Sequence, residues 1–189
     1  MNDQLLIAQL KEGSTHAFGI VVEEFKGVVY NTSLGIVQNQ EDAEDISQEV
    51  FAEVYQSIKN FKGESKLSTW IYRIAISKSL EHLRRKNRKK RFAFVQSLFG
   101  TESVTPINEV PHFYHPGVQL ENKERAAVLF EAIEQLPANQ KAAFILHKIE
   151  GVSYNEIAEV MKISLSSVES LQFRAKQNLQ KLLDRKSVV

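Results

Sequence analysis

Ser68-Thr69-Trp70-Ile71-Tyr72-Arg73-Ile74-Ala75-Ile76-Ser77-Lys78-Ser79-Leu80-Glu81-His82-Leu83-Arg84-Arg85 runs directly into Lys86-Asn87-Arg88-Lys89-Lys90-Arg91. The spacing predicts a helix capped by Ser68 or Thr69. Its apolar residues fall on two faces: Trp70, Ile71, Ile74 and Ala75 on one, and Ile76, Leu80 and Leu83 roughly opposite. A helix apolar on two sides is packed on two sides, hence inside a domain. Its end is cationic, with seven Lys or Arg in the eight positions 84–91. A rigid rod that starts aromatic and ends cationic suits nucleic acid, since cations hold phosphates and a ring can meet a base. Trp70 reads either as core or as a stacking platform.

Working outward toward the N-terminus, the pattern stays helical. Leu5, Leu6 and Leu10 predict one face of a short first helix. Ser14 or Thr15 caps a second, with Phe18, Val21, Val22, Phe25, Val28 and Val29; its β-branched richness also fits a strand. A loop over 38–42 leads into a third helix from about Glu41 to Ile58, carrying Ala43, Ile46, Val50, Phe51, Val54 and Ile58. Asn60 to Lys66 is a turn-rich break.

Residues 92–121 hold three of the four prolines and no Lys or Arg. They predict a long flexible linker. Helical periodicity resumes near Asn122 with Ala126, Leu129, Phe130 and Ile133. Leu136-Pro137 ends that segment. A further helix carries Ala143, Phe144 and Leu146, and Gly151 fits its C-cap. Ser153 then caps a helix from Tyr154, and Ser164 or Ser166 caps the last one. Ala158 is small where a second helix crosses, Ile163 plugs the turn, and Val168 and Leu171 seat the final helix: the packing code of a helix-turn-helix. Ser166, Ser167, Glu169, Ser170, Phe173, Arg174 and Lys176 are left facing outward, where hydroxyls and cations suit phosphates and base edges. Lys162 stands where such turns commonly have glycine. The fold expected is all-α: two small helical domains joined by a flexible linker, over 1–91, 92–121 and 122–189, the C-terminal one containing a helix-turn-helix.

The net charge of +1 conceals an asymmetry: residues 1–60 carry −7 and residues 61–91 carry +9. Such a swing implies two partners of opposite sign or two faces of one domain. The acidic helix near Asp42 presents Asp45, Gln48, Glu49 and Glu53. With no cysteine, disulfides, Cys-zinc sites and thiol catalysis are excluded. No apolar run approaches the ~20 residues that cross a bilayer, and no secretory signal is visible. No glycine-rich phosphate loop or nucleophile elbow is present, and the five histidines form no helical His-x-x-x-His pair. We therefore expect a cytoplasmic protein, not an enzyme, with no catalytic residue, cofactor, metal site or membrane insertion.

The segment Trp70 to Arg85 resembles the promoter-melting region of bacterial sigma factors, specifically the extracytoplasmic-function branch. Leu136-Pro137, Leu146 to Ala158 and Ser167 to Lys176 resemble the domain of the same family that reads the upstream, minus-thirty-five, promoter element. Asp42 to Phe51 resembles the segment that docks on the clamp helices of the largest polymerase subunit. The resemblance covers about 3–91 and 122–184 in the family order. It implies a sigma factor whose partners are core RNA polymerase, through Asp45, Gln48, Glu49 and Glu53, and promoter DNA as duplex and melted strand. It also allows an anti-sigma factor. It assigns minus-ten recognition and melting to Lys62, Glu64, Ser65, Lys66, Ser68, Thr69, Trp70, Arg73, Ser77, Lys78, Arg84 and Arg85, the loop Lys62 to Leu67 holding a flipped base. It assigns the minus-thirty-five element to the outward residues 166–176 named above. Ile76 and Ser77 stand where the family commonly has Arg and Asn, and Glu169 replaces a usually basic residue. The alternative is a stand-alone helix-turn-helix regulator with an N-terminal dimerisation or sensing domain.

Overall fold

In the computed structural model, residues 3–99 and 123–186 are described. Their order is α1 (Asp3–Lys11), α2 (Thr15–Val37), α3 (Gln40–Ser57), a 3₁₀ turn (Ile58–Asn60), α4 (Leu67–Phe99), α5 (Lys123–Glu134), α6 (Ala138–Lys148), α7 (Tyr154–Met161) and α8 (Leu165–Lys186). No strand occurs among the described residues. The β-branched stretch of α2 is helical because Ser14 caps it, its Oγ accepting from the Ala17 amide at 3.2 Å, and because its flanks bury Ala17, Val21 and Val29. Packing thereby overrides local propensity.

α2, α3 and α4 pack mutually and make the N-terminal unit. Ala43, Ile46, Val50 and Val54 of α3 and Ile71 and Ala75 of α4 are fully or almost fully buried. In α1, Leu6 and Leu10 are buried one turn apart, but Leu5 is 59% exposed, so the expected three-leucine face is a two-leucine one. The i, i+4 pair shares a face and its neighbour does not.

Two boundaries differ from expectation. α4 starts at Leu67, which puts Ser68 and Thr69 inside its first turn rather than at its cap; Thr69 is buried. Its backbone also stays helical to Phe99, beyond the linker boundary placed at Arg91. Proline punctuation begins only at Pro106, so no proline interrupts the helix up to Phe99. The rest of the expected linker lies outside the described residues.

α5, α6 and α8 form the C-terminal unit with α7. α8 is held by Val168, Gln172, Ala175 and Leu179, all buried. The Gln172 Nε2 donates to the Ala143 carbonyl at 2.6 Å. α4 is walled on its second side, as its two apolar faces require: α7 packs there, and Ile76 and Leu80 are buried.

The two units also meet at the end of α2. Seven consecutive residues, Thr32 to Gln38, are all buried. A helix buried all round needs walls on every side, and α6 supplies one that α3 and α4 cannot. Here a Cβ on Gly35 would lie 2.9 Å from Ile145 Cγ2, so only glycine permits this approach.

Candidate nucleic-acid interface

The acidic and basic helices lie side by side. Asn39 caps α3, its side chain accepting from the Asp42 amide at 2.8 Å. The Asp42 carboxylate then accepts from Lys86 Nζ at 2.8 Å and meets His82 Nε2 at 3.2 Å. Burial alone would raise its pKa, but the hydrogen bonds and charges of Lys86 and His82 outweigh it and hold the carboxyl below its ordinary value. Lys78 sits 4.0 Å from Glu49 and 3.7 Å from Glu53, and Arg85 sits 3.9 Å from Glu49. The charge swing of the sequence is thus, in part, two faces of one unit zipped together. Asp45, Gln48 and Glu49 remain exposed and Glu53 half-buried. Exposed pairs of this kind contribute little stability each, so they separate at low cost.

At the head of α4, Trp70 is half-buried with its ring centroid 4.9 Å from that of Phe61. It serves as packing here. The loop before it turns on Gly63 at φ 74°. Lys62, Glu64 and Lys66 are exposed, and Ser65 and Ser68 are half-buried. Ser77, Arg84 and Arg85 are exposed farther along, while Arg73 and Lys78 are half-buried.

The helix-turn-helix forms as its packing code predicts. Ser153 and Glu156 make a reciprocal capping box on α7. Hydrogen bonding from Ser153, then from Lys66, lowers the Glu156 pKa. Lys162 adopts the left-handed conformation, φ 55°, that glycine usually supplies, and its amide donates to the Ala158 and Glu159 carbonyls. The Ile163 amide donates to Ala158 as well, at 3.1 Å. Ser164 caps α8, accepting from the Ser167 amide at 3.2 Å. Ile157 and Val168 are fully buried, while Leu171 is half-buried toward α4. The deeper seat is Gln172, a polar residue that gives no apolar signal in the sequence of the last helix. Ser166, Ser167, Glu169, Ser170, Phe173, Arg174 and Lys176 are all exposed, Phe173 at 63%. An exposed ring beside hydroxyls and an arginine can meet a thymine methyl and base edges.

The two sets of residues face one another. Arg73 Nη2 donates to the Glu159 carbonyl at 2.8 Å and Nε to that of Val160 at 3.4 Å, at the C-terminal end of α7. Lys66 Nζ reaches Glu156 at 3.2 Å. Beside these contacts lies a cleft of about 630 Å³, lined by Arg73, Ser77 and Arg84 of α4 and by Ser167, Ser170 and Arg174 of α8, with Lys162 of the turn between. In the turn after α6, burial pushes the Glu150 carboxyl up to about 7. Burial first, and the Glu150 and Glu156 charges second, push the Tyr72 phenol up to about 12.

No cluster of His, Asp or Glu able to hold a metal occurs among the described residues. Among them, no helix is long and apolar enough to cross a membrane.

An all-helical chain with a capped helix-turn-helix and a basic helix zipped to an acidic one is the architecture of a promoter-recognition factor. Residues 21–89 match the family model of sigma-70 region 2 and residues 126–179 that of sigma-70 region 4. The RNA polymerase sigma-H factor of Pseudomonas aeruginosa is 30% identical, over 96% of this chain and 93% of the relative. The extracytoplasmic-function sigma-E factor of Haemophilus influenzae is 29% identical, over 95% and 94%. Among solved structures, CnrH, in complex with the cytosolic domain of CnrY, superposes with a TM-score of 0.67 at 22% identity, covering 97% of each chain. RpoE of Bartonella quintana, in complex with the anti-sigma factor NepR, gives 0.63 at 20% identity, over 88% of this chain and 96% of that one. The chain belongs to the sigma-70 family, in its extracytoplasmic-function branch: it is a sigma factor of promoter-specific transcription initiation.

Proposed function

We propose that residues 122–189 form the minus-thirty-five reader and residues 1–91 the polymerase-docking and minus-ten unit, with 92–121 as the linker between them. The observation that carries this is the seating of α8. Val168, Gln172, Ala175 and Leu179 are spent on the core, and Ser166, Ser167, Glu169, Ser170, Phe173, Arg174 and Lys176 are left outside, as a recognition helix in a major groove requires. Asp45, Gln48, Glu49 and Glu53 dock on the clamp helices of core polymerase. Lys62, Glu64, Ser65, Lys66, Ser68, Thr69, Trp70, Arg73, Ser77, Lys78, Arg84 and Arg85 serve the minus-ten element. Of these, buried Thr69 and half-buried Trp70 support the others rather than meet DNA directly in this arrangement. The chain performs no bond chemistry; polymerase does. It works in the cytoplasm, and an anti-sigma factor, the partner of Bartonella RpoE, is a partner here too.

Run-off transcription with core polymerase, on duplex and pre-melted promoter fragments, tests this. Wild-type chain should raise yield on both. Arg84→Ala with Arg85→Ala should lose more on duplex than on pre-melted template. If the chain adds nothing to core on either template, yet binds a palindromic duplex tightly by itself, it is a stand-alone regulator instead.

A further inference from the structure

We infer that the cleft between α4 and the helix-turn-helix is a binding site for a small phosphorylated ligand: a nucleotide with two or more phosphates. Its phosphates meet the cations of the cleft and its base meets the apolar lining. The inference does not rest on the promoter-reading roles proposed above.

Charge gives the ligand its sign. Arg73, Arg84, Lys162 and Arg174 line the cleft, and no carboxylate of the described residues does. The whole chain holds 24 Lys and Arg against 23 Asp and Glu, so composition alone would mix the two signs. Three neighbouring cations of α4 show what mixing looks like: Lys78, Arg85 and Lys86 each lie against a carboxylate of α3. Among the described residues no such ion pair neutralises the four cations of the cleft. Cations gathered from three elements without a counter-charge build a local positive potential that favours a multiply charged anion.

Geometry gives the ligand its class. The guanidinium of Arg73 is fixed in the wall by its hydrogen bonds to the Glu159 and Val160 carbonyls, and a guanidinium fork matches phosphate oxygens. The exposed hydroxyls of Ser77, Ser167 and Ser170 and the amide of Asn139 add hydrogen-bonding groups. Lys162 is the independent sign. It holds the left-handed conformation at φ 55°, a backbone position that suits glycine best, yet it carries an ammonium into the lining. Between these polar groups lie Ile76 and Leu80, which are buried, and Met161 and Ile163, which are half-buried. A bare phosphate has no use for that apolar lining, whereas a base covers it. The volume of about 630 Å³ is that of a small-molecule site. Cations on one wall and apolar side chains on another fit a molecule that is itself charged at one end and flat and weakly polar at the other.

Calorimetric titration of the full free chain tests this, with ATP and GTP as probes and inorganic tripolyphosphate, adenosine and guanosine as their halves. We expect saturable one-to-one binding of ATP or GTP. Tripolyphosphate should bind about tenfold more weakly, since it leaves the apolar lining uncovered, and the nucleosides more weakly still. Lys162→Gly should weaken the nucleotide by about tenfold, the worth of one charged hydrogen bond. Its Tm should stay at or above that of the wild type, because glycine suits the turn, so a lost affinity cannot be a lost fold. Arg88→Gln removes an exposed cation of the same helix outside the cleft lining and should leave affinity within about twofold, as a screened surface charge does. Four results overturn the inference. Neither nucleotide binds saturably; or tripolyphosphate binds as tightly as the nucleotide, which marks an adventitious anion only; or Lys162→Gly has no effect; or Arg88→Gln weakens binding as much as Lys162→Gly, which marks diffuse charge attraction. The promoter-reading roles stand or fall separately, on run-off transcription with holoenzyme.

Discussion

α4 and α8 are both long, both polar outside and both promoter-facing in the proposed reading, yet they are held in opposite ways. α4 is gripped on two sides, by α2 and α3 and then by α7. Its cations Lys78, Arg85 and Lys86 lie against Glu49, Glu53 and Asp42. α8 is seated along one stripe, Val168, Gln172, Ala175 and Leu179, and the residues proposed to read bases lie outside it, all exposed. In α4 the groups that build the unit and the groups that read DNA are interleaved. In α8 they are separated by helical phase. Substitution should therefore couple stability and function in α4 and divide them in α8.

The largest test of that contrast is Ile71→Ala. Ile71 is fully buried between α4 and its neighbours, and the truncation should cost about 2–5 kcal/mol in denaturant unfolding. Polymerase binding and minus-ten activity should fall with it, because Lys78 and Arg85 lose their positions. Retained activity at that loss of stability would break the contrast. Next comes Arg174→Ala on the outer face of α8. Unfolding should stay within about 0.5 kcal/mol of wild type, while promoter discrimination at one position relaxes by about 1–3 kcal/mol, measured by binding to a panel of single-base variants. A stability loss comparable to that of Ile71→Ala would show α8 to be as interleaved as α4.

The smallest expected effect lies where the helices meet. Glu150 has its pKa raised from 4.5 to about 7 by burial. The folded chain therefore holds a proton that the unfolded chain releases, and stability falls as pH rises from about 4.5 through about 7. Partial exposure reduces the contribution to about 1–2 kcal/mol. Glu150→Gln should flatten that slope and raise Tm at pH 8 more than at pH 5. A variant that tracks wild type at both pH values would place Glu150 in solvent rather than in a buried site.

Much of this was legible beforehand for a physical reason. Wherever a helix buries a single face, its apolar period names that face, as in α3 and α8. The two faces of α4 were legible too, because Ile76 and Leu80 lie out of phase with Ile71 and Ala75. What escaped was the partner of a uniform segment. Residues 27–40 contain no charged side chain, a sign of burial on every side, but such a run has no period and names no direction. Gln172 and Lys141 escaped for the complementary reason: a buried polar residue is recognisable only once its acceptor, the Ala143 or Ile36 carbonyl, has been brought near. Helical propensity, in turn, carried α4 to Phe99 through residues whose composition alone read as linker.

That length has a mechanical meaning. At 1.5 Å per residue α4 is a rod about 50 Å long, packed through Leu83 and tied to α3 as far as Lys86, and about 20 Å of its backbone continues past that tie. A tilt of about 10° at that tie would sweep the far end through about 3.5 Å, close to the ~3.4 Å rise between successive phosphates on one strand. The side chains that clamp the rod, Ile71, Ala75, Ile76 and Leu80, thus govern the aim of cations they never touch.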